Sequence, residues 1–370
     1  MKCANLIVAT VFIAFIFGLT STDLIAASVE VSVAERRKLA QRPAFSLERA
    51  LEGRFAGDYA RFLQDQVVFR DGWRAIKAFV EMSVLRKSEN NGVYVVDGNL
   101  YDKFYGINER YVERAAGLID RIIAAIDADR VYLSVIPSKA HVLVRDRDRY
   151  LLSDQNTIAR HLREHVNASY IDLMDLFKES SPELYYRTDH HWTTQGAIQA
   201  YKALVTAMGY EPVEDYGFEQ ITDSYVGSNY GKAALRSIAK DSITLAHNAH
   251  LDRLSVCRYE TADAFDCFDS VYFREKAGGL DPYDVFLGGA APIIVIENDL
   301  AQSREELVVF KDSYAHALAP FLAQHYARVT LFDLRYVRKE YILDHFDLNG
   351  KTVLFLYSTT ILNTDPQILN

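Results

Sequence analysis

The sequence predicts an α/β fold, a mainly parallel sheet flanked by helices, with an N-terminal leader and a helical arm in front of it. Two observations carry that prediction. From about residue 109 onward, short apolar runs alternate with stretches of helical period, which is the order of βα units. The runs, such as Val131–Ile136 and Leu307–Phe310, are apolar nearly throughout, as strands covered on both faces must be. The 370 residues are 49% hydrophobic and 25% charged, an ordinary globular composition. The net charge of −9 excludes a phosphate-binding surface as the main business of the chain, and with it a nucleic-acid partner.

The leader comes first. Lys2 precedes an uncharged apolar stretch from Leu6 to Leu19, shorter than the ~20 residues of a comfortable transmembrane helix. Residues 1–27 therefore read as a signal peptide or signal anchor. Ala26, Ala27 and Ser28 offer a cleavage site, and both cleavage and retention stay open. Residues 28–92 form the helical arm. Arg42-Pro43-Ala44-Phe45-Ser46 is extended, Leu47–Glu52 and Tyr59–Leu63 have helical spacing, and a further helix runs from about Trp73 to Leu85. Residues 93–370 form the α/β domain. It opens with a hairpin, Val93–Tyr101, turned at Asp97-Gly98. A helix at 109–128 leads to strand 131–136, which ends at Pro137. Helix 157–166, strand 169–173 and helix 194–208 follow. Strand 293–297, strand 307–310, helix 315–326, strand 329–332 and strand 353–357 complete the alternation. Residues 210–290 interrupt it as an irregular insertion rich in Tyr, Asp and Ser, expected to line or cover the site. Cys257 and Cys267 lie in the insertion, ten residues apart. In an oxidising compartment they form a disulfide; their spacing matches no zinc site.

The chemistry concentrates at two junctions. Thr188-Asp189-His190-His191-Trp192-Thr193 stands just before a helix, and Lys311-Asp312-Ser313-Tyr314 joins a strand to the next helix. A serine hydroxyl needs a base to take its proton, and an imidazole base needs a carboxylate to fix its tautomer. Ser313, His191 and Asp189 supply those three types, with Trp192 placed to restrain the imidazole. At a strand-to-helix turn, the N–H groups of the first helical turn can also stabilise an oxyanion. Competing readings exist for each piece. A Ser before a helix serves as an N-cap, Asp189 and Thr194 can cap the next helix, and Asp189, His190 and His191 have the donor types of a zinc site.

The first junction resembles the signature of the DHHW proteins, relatives of the alginate-acetylation proteins in the SGNH-hydrolase-like superfamily. Arg42-Pro43, Phe69-Arg70-Asp71, Pro137-Ser138-Lys139, the Lys311–Tyr314 block and Pro320-Phe321 extend the resemblance over most of the chain. It implies an SGNH-like fold and the catalytic set Asp189, His191 and Ser313, with His191 chosen over His190 because it directly precedes Trp192. Two departures from ordinary SGNH esterases stand out: Lys311 replaces a glycine, and the acid–base spacing is one residue shorter. Gly227 and Asn229, in the loop Tyr225–Gly231, and Tyr314 are the candidates for substrate-binding or oxyanion groups.

These features imply a serine O-acetyltransferase or acetylesterase acting on a cell-envelope polysaccharide, exported or anchored outside the cytoplasm. Neither cofactor nor metal is expected. The resemblance further implies a membrane-bound O-acyltransferase as partner. The alternative is a non-catalytic envelope polysaccharide-binding protein that retains the fold.

Overall fold

The computed structural model describes residues 2–177, 182–261, 263–301 and 303–364. The chain divides into two compact units, Met1–Asn91 with Tyr230–Ser237, and Gly92–Asn229 with Ile238–Asn370. The division falls between Asn91 and Gly92, where the sequence places the end of the arm at residue 92, and a short segment of the insertion belongs to the N-terminal unit.

The N-terminal unit begins with helix α1 (Lys2–Ile25). It is longer than the apolar run suggested. Thr20 and Thr22 return their hydroxyls to the carbonyls of Ile16 and Gly18, so polar residues extend the helix by a turn. The window Ala4–Asp23 is long and apolar enough to cross a membrane by length and composition. Three helices form the arm: α2 (Leu47–Leu51), N-capped by Ser46, α3 (Arg54–Gln66) and α4 (Arg70–Phe79), which widens into a π-turn at Val80–Val84. Glu35 ties the arm together by pairing with Arg70, Arg74 and Arg37. Asp65 is hydrogen-bonded by Arg37 and by the Ala40 N–H, and these contacts hold its carboxyl down at about 2.

The second unit is α/β. A hairpin of β1 (Val93–Val96) and β2 (Asn99–Asp102) opens it. Asp97 and Gly98 both have positive φ, 48° and 73°, as a type I′ turn requires. The main sheet contains β3 (Arg130–Ile136), β4 (Ser169–Ile171), β7 (Ser255–Thr261), β8 (Ala264–Phe268), β9 (Ile293–Glu297), β10 (Glu306–Lys311), β11 (Arg328–Phe332) and β12 (Thr352–Ser358). A separate antiparallel pair, β5 (Gly217–Tyr225) and β6 (Asp241–His247), lies between β4 and β7 in sequence. In space the eight strands run β8-β7-β9-β11-β10-β12-β3-β4. The five strands from β11 to β4 are parallel, and β9, β7 and β8 extend the sheet antiparallel. Strand β10 is thus central, and its carboxyl end is where an open α/β sheet places reactive groups. Helices α5 (Glu109–Ile123), α7 (Asn156–His165), α8 (Thr194–Ala207) and α9 (Ala315–Leu322) cover the sheet. Two large apolar clusters form most of the core. One contains Trp192, Leu204, Val309 and Leu322; the other contains Ile119, Leu162, Phe310 and Phe355.

The insertion is more ordered than the sequence suggested: β5 to β8 all lie within residues 210–290. Strand β8 is exposed at all five positions, so it lacks the apolar pattern by which a strand is recognised. It is also an edge strand, and Asp266 and the disulfide blunt that edge. Cys257 and Cys267 face each other directly across β7 and β8, with Cα atoms 4.0 Å apart, and are bonded. Replacing both with serine is expected to cost about 2–3 kcal/mol of stability. Denaturant unfolding with and without reductant checks this, and mass spectrometry without reductant should find the two peptides linked.

Candidate active site

The sequence around residue 189 folds into a tight bend. Tyr185 and Trp192 pair across it, the Tyr186 N–H donates to the His191 carbonyl, and the Thr193 N–H donates to that of Leu184. Thr193 then caps α8 by accepting from the Gly196 N–H, so the cap is neither Asp189 nor Thr194. Asp241 of β6 accepts from the backbone N–H groups of Arg187 and Thr188. Lys139, at the start of a short helix α6 (Lys139–Leu143) after β3, donates to the carbonyls of Leu100, Tyr186 and Arg187 at 3.0, 2.6 and 2.9 Å. Burial pulls this ammonium down to about 7, with Asp241 and Asp189 opposing the shift.

Asp189 is fully buried. Its Oδ1 accepts from the His191 N–H at 3.0 Å, and its Oδ2 from the Ser228 N–H at 2.6 Å. Backbone N–H groups only donate, so the carboxylate acts as an acceptor on both oxygens. The His191 Nδ1–H therefore donates to Asp189 Oδ1, at 2.6 Å. That tautomer leaves Nε2 as an acceptor, and Ser313 Oγ lies 2.8 Å from it. Acid, base and hydroxyl, drawn from positions 122 residues apart, thus form one connected chain.

Ser313 follows β10 on a turn fixed by Asp312. Asp312 Oδ1 accepts from the Tyr314 N–H at 3.0 Å, and Oδ2 from the Ser358 N–H at 2.7 Å. Trp192 Nε1–H donates to the Tyr314 carbonyl at 3.1 Å, which joins the two junctions directly. The ring stacked on His191 is not Trp192 but Tyr283, at 4.1 Å between centroids and 10° between planes. Tyr283 comes from the insertion, which therefore does line the site. Burial keeps its phenol well above the ordinary value and hence protonated.

Lys311, the departure from the esterase glycine, is buried in a separate network. Its Nζ bonds Asp333 at 3.0 Å and His316 Nε2 at 2.8 Å, and Arg335 pairs with the same Asp333. Burial alone would raise the Asp333 carboxyl; Lys311 and Arg335 outweigh it and hold it below the usual range. Burial, with Lys311 alongside, drives His316 well below its ordinary value, so it is neutral.

The expected oxyanion groups divide. The Gly227 N–H is taken by Thr188 Oγ1 at 3.0 Å. Tyr314 gives its N–H to Asp312 and its hydroxyl to the His190 carbonyl, and the Ala315 N–H goes to the Asp312 carbonyl. Gly227 and Tyr314 are therefore structural, and the first helical turn offers fewer donors than expected. Among the described residues nothing accepts the Ser313 N–H. The fully buried Asn229 amide likewise finds no partner among them. Gly227 has another role: a Cβ there would lie 2.2 Å from the Asp189 Cβ. Gly227→Ala must push Asp189 or the loop aside. A displacement of that size is expected to lower turnover by about 10²-fold, which steady-state kinetics on a folded variant checks.

Asp189, His190 and His191 also bring three potential metal-ligand atoms within 4.8 Å of one another. Asp189 and His191 are the residues already joined in the chain to Ser313. His190 Nδ1 meets Ser228 Oγ at 3.0 Å. Lys139, Asp241 and Tyr283 carried no signal for this site in the sequence, since their partners lie roughly 50 to 90 residues away; only Lys139 fell in a motif singled out there.

The model of the DHHW protein family matches residues 80–332. Among solved structures, the chain is similar to a DHHW family protein from Eubacterium siraeum. The identity is 22% and the TM-score 0.63, over 76% of this chain and 95% of that one. It is also similar to Bacillus cereus PatB1 with a sulfonyl adduct, at 22% identity and a TM-score of 0.59, over 74% of this chain and 98% of that one. The O-acetyltransferase domain of Pseudomonas putida AlgJ aligns at 16% identity with a TM-score of 0.44, over 75% and 97% of the two chains. No match was found among curated proteins.

Proposed function

This chain belongs to the DHHW protein family, and from that premise we propose that it moves an acetyl group through an acyl-serine intermediate on a cell-envelope polysaccharide. The observation that carries the reading is the unbroken Asp189–His191–Ser313 hydrogen-bond chain, at 2.6 and 2.8 Å. Ser313 Oγ attacks the acetyl carbonyl while His191 Nε2 takes its proton. The ester bond to the donor breaks, and His191 returns that proton to the departing oxygen. An acceptor hydroxyl then gives its proton to His191 and attacks the acetyl-serine. The acetyl group passes to the acceptor, and Ser313 recovers its hydrogen. Asp189 holds the tautomer and stabilises the imidazolium of each half-reaction. The Ser313 N–H and the Asn229 amide are the donors proposed to meet the developing oxyanion.

Water as acceptor makes the protein an esterase; a sugar hydroxyl makes it a transferase. The family resemblance favours transfer, with a membrane-bound O-acyltransferase supplying acetyl groups. The apolar α1 and the Cys257–Cys267 disulfide support a location outside the cytoplasm. The replacement of the esterase glycine by Lys311, whose Nζ bonds Asp333 and His316, is the feature that favours the binding-protein alternative.

The test is turnover of a small acetyl ester by the purified protein with and without EDTA. Hydrolysis unchanged by chelator is the expected result. Activity lost to EDTA and restored by zinc would replace the serine mechanism with a metal centre on Asp189, His190 and His191. No turnover with any acetylated donor would leave the binding protein as the better reading.

A further inference from the structure

The arm carries a feature that acyl transfer does not use. Helix α4 and its π-turn expose Phe69, Trp73, Ile76, Val80 and Val84, with Phe79 beside them; Phe69 is 73% exposed. The steps of four, three, four and four residues place these side chains along one stripe. The opposite side carries the buried Ala78 together with Arg70 and Arg74, which pair with Glu35. A stripe this apolar and aromatic on a short helix marks an interaction surface.

Two further observations say what covers it. First, the stripe is continuous with α1. The Trp73 ring meets Phe15 edge-on at 6.2 Å, and Phe15 lies inside the window apolar enough to cross a membrane. The Val68 N–H donates to the Asp23 side chain at 2.8 Å, which fixes the start of α4 to the end of that window. Second, the charge is asymmetric. Residues 28–91 hold twelve basic and nine acidic side chains, a net of +3 in a chain of net −9. Arg86 and Lys87 are exposed just beyond the stripe. An aromatic, apolar face flanked by basic residues fits the boundary between anionic headgroups and acyl chains.

We propose that the Phe69–Val84 face is a membrane-binding surface, lying in the interface of an anionic phospholipid bilayer beside α1. Only its placement beside α1 rests on the reading of α1 as a retained anchor, and the surface is independent of the chemistry at Ser313. It gives the arm a purpose: to keep the protein at the membrane surface.

The chain has two tryptophans, Trp73 and the fully buried Trp192. The full chain is reconstituted in vesicles of phosphatidylglycerol and phosphatidylcholine, with and without brominated acyl chains. Brominated lipid is expected to quench about half of the tryptophan emission, and the quenched part disappears in Trp73→Phe. Trp73→Phe combined with Val84→Trp moves the reporter about 16 Å along the helix, away from Phe15, and quenching is expected to persist there. Quenching at Trp73 but not at position 84 would overturn the proposal, since the stripe would then leave the bilayer. So would an unquenched but concentration-dependent blue shift, which marks a second copy on this face. Intact mass of the exported protein keeps the two readings apart. If residues 1–27 are removed, the anchor reading fails, and flotation of the processed protein with the same vesicles decides the surface: co-migration supports it and its absence overturns it.

Discussion

Ser313→Ala is expected to lower turnover of an acetyl ester by about 10⁴-fold or more while leaving the fold intact. The substitution removes one oxygen from a half-buried turn that Asp312 holds through the Tyr314 and Ser358 N–H groups, so little packing is lost. Members of a hydrogen-bonded catalytic unit act together, and losing one forfeits most of what the unit supplies. His191→Ala should give a loss of similar size. His190→Ala should cost about tenfold or less: its ring meets Ser228 at 3.0 Å and lies 3.3 Å from Asp189 Oδ1, and such a hydrogen bond contributes only about 0.5–1.5 kcal/mol. Binding of a polysaccharide ligand should hardly change in Ser313→Ala. Steady-state kinetics on the three variants, with circular dichroism to verify folding, make the comparison. A damaging His190→Ala beside a mild His191→Ala would reverse the choice between the imidazoles and leave the reaction class standing.

Asp333→Ala is expected to be strongly destabilising. Lys311 and Asp333 are both fully buried, and Arg335 shares the carboxylate. Removing it leaves a buried ammonium and most of a guanidinium without a counter-charge. Breaking such a pair from one side typically costs about 3–5 kcal/mol, or on the order of 10 °C in Tm. Lys311→Met with Asp333→Leu removes the buried ammonium along with the carboxylate and leaves only the partly exposed Arg335 without its partner, so it should recover part of that loss. Thermal and urea unfolding of the two variants measure it. If Asp333→Ala loses less than about 1 kcal/mol, Lys311 and Arg335 do not depend on Asp333 for their counter-charge as described.

The two networks explain how far the sequence could be read. Strands β3, β9, β10, β11 and β12 were legible because each is an apolar run nearly throughout, and their observed bounds agree within about a residue. The two junctions were legible because Asp189, His191 and Ser313 are chemically distinctive types at strand or loop ends. The insertion was not legible. Strand β8 is wholly exposed and β5 mostly so, so neither shows the alternation that betrays a half-buried strand. Tyr283 and Asp241 act on the site across roughly 50 to 90 residues of chain, and nothing local marks them. Lys311 was misleading for the same reason. In sequence it is a departure from a catalytic glycine; in space it is half of an ion pair whose other half waits 22 residues on, just past β11.

The central claim, a nucleophilic Ser313 activated by His191, is tested most directly by a sulfonyl fluoride and intact-mass spectrometry. Ser313 Oγ should displace fluoride from sulfur as His191 takes the proton, giving one adduct per chain on the peptide that contains Ser313. The adduct should be absent in Ser313→Ala and strongly slowed in His191→Ala. An unmodified wild-type chain, or an adduct on any other residue that survives in Ser313→Ala, would contradict the account.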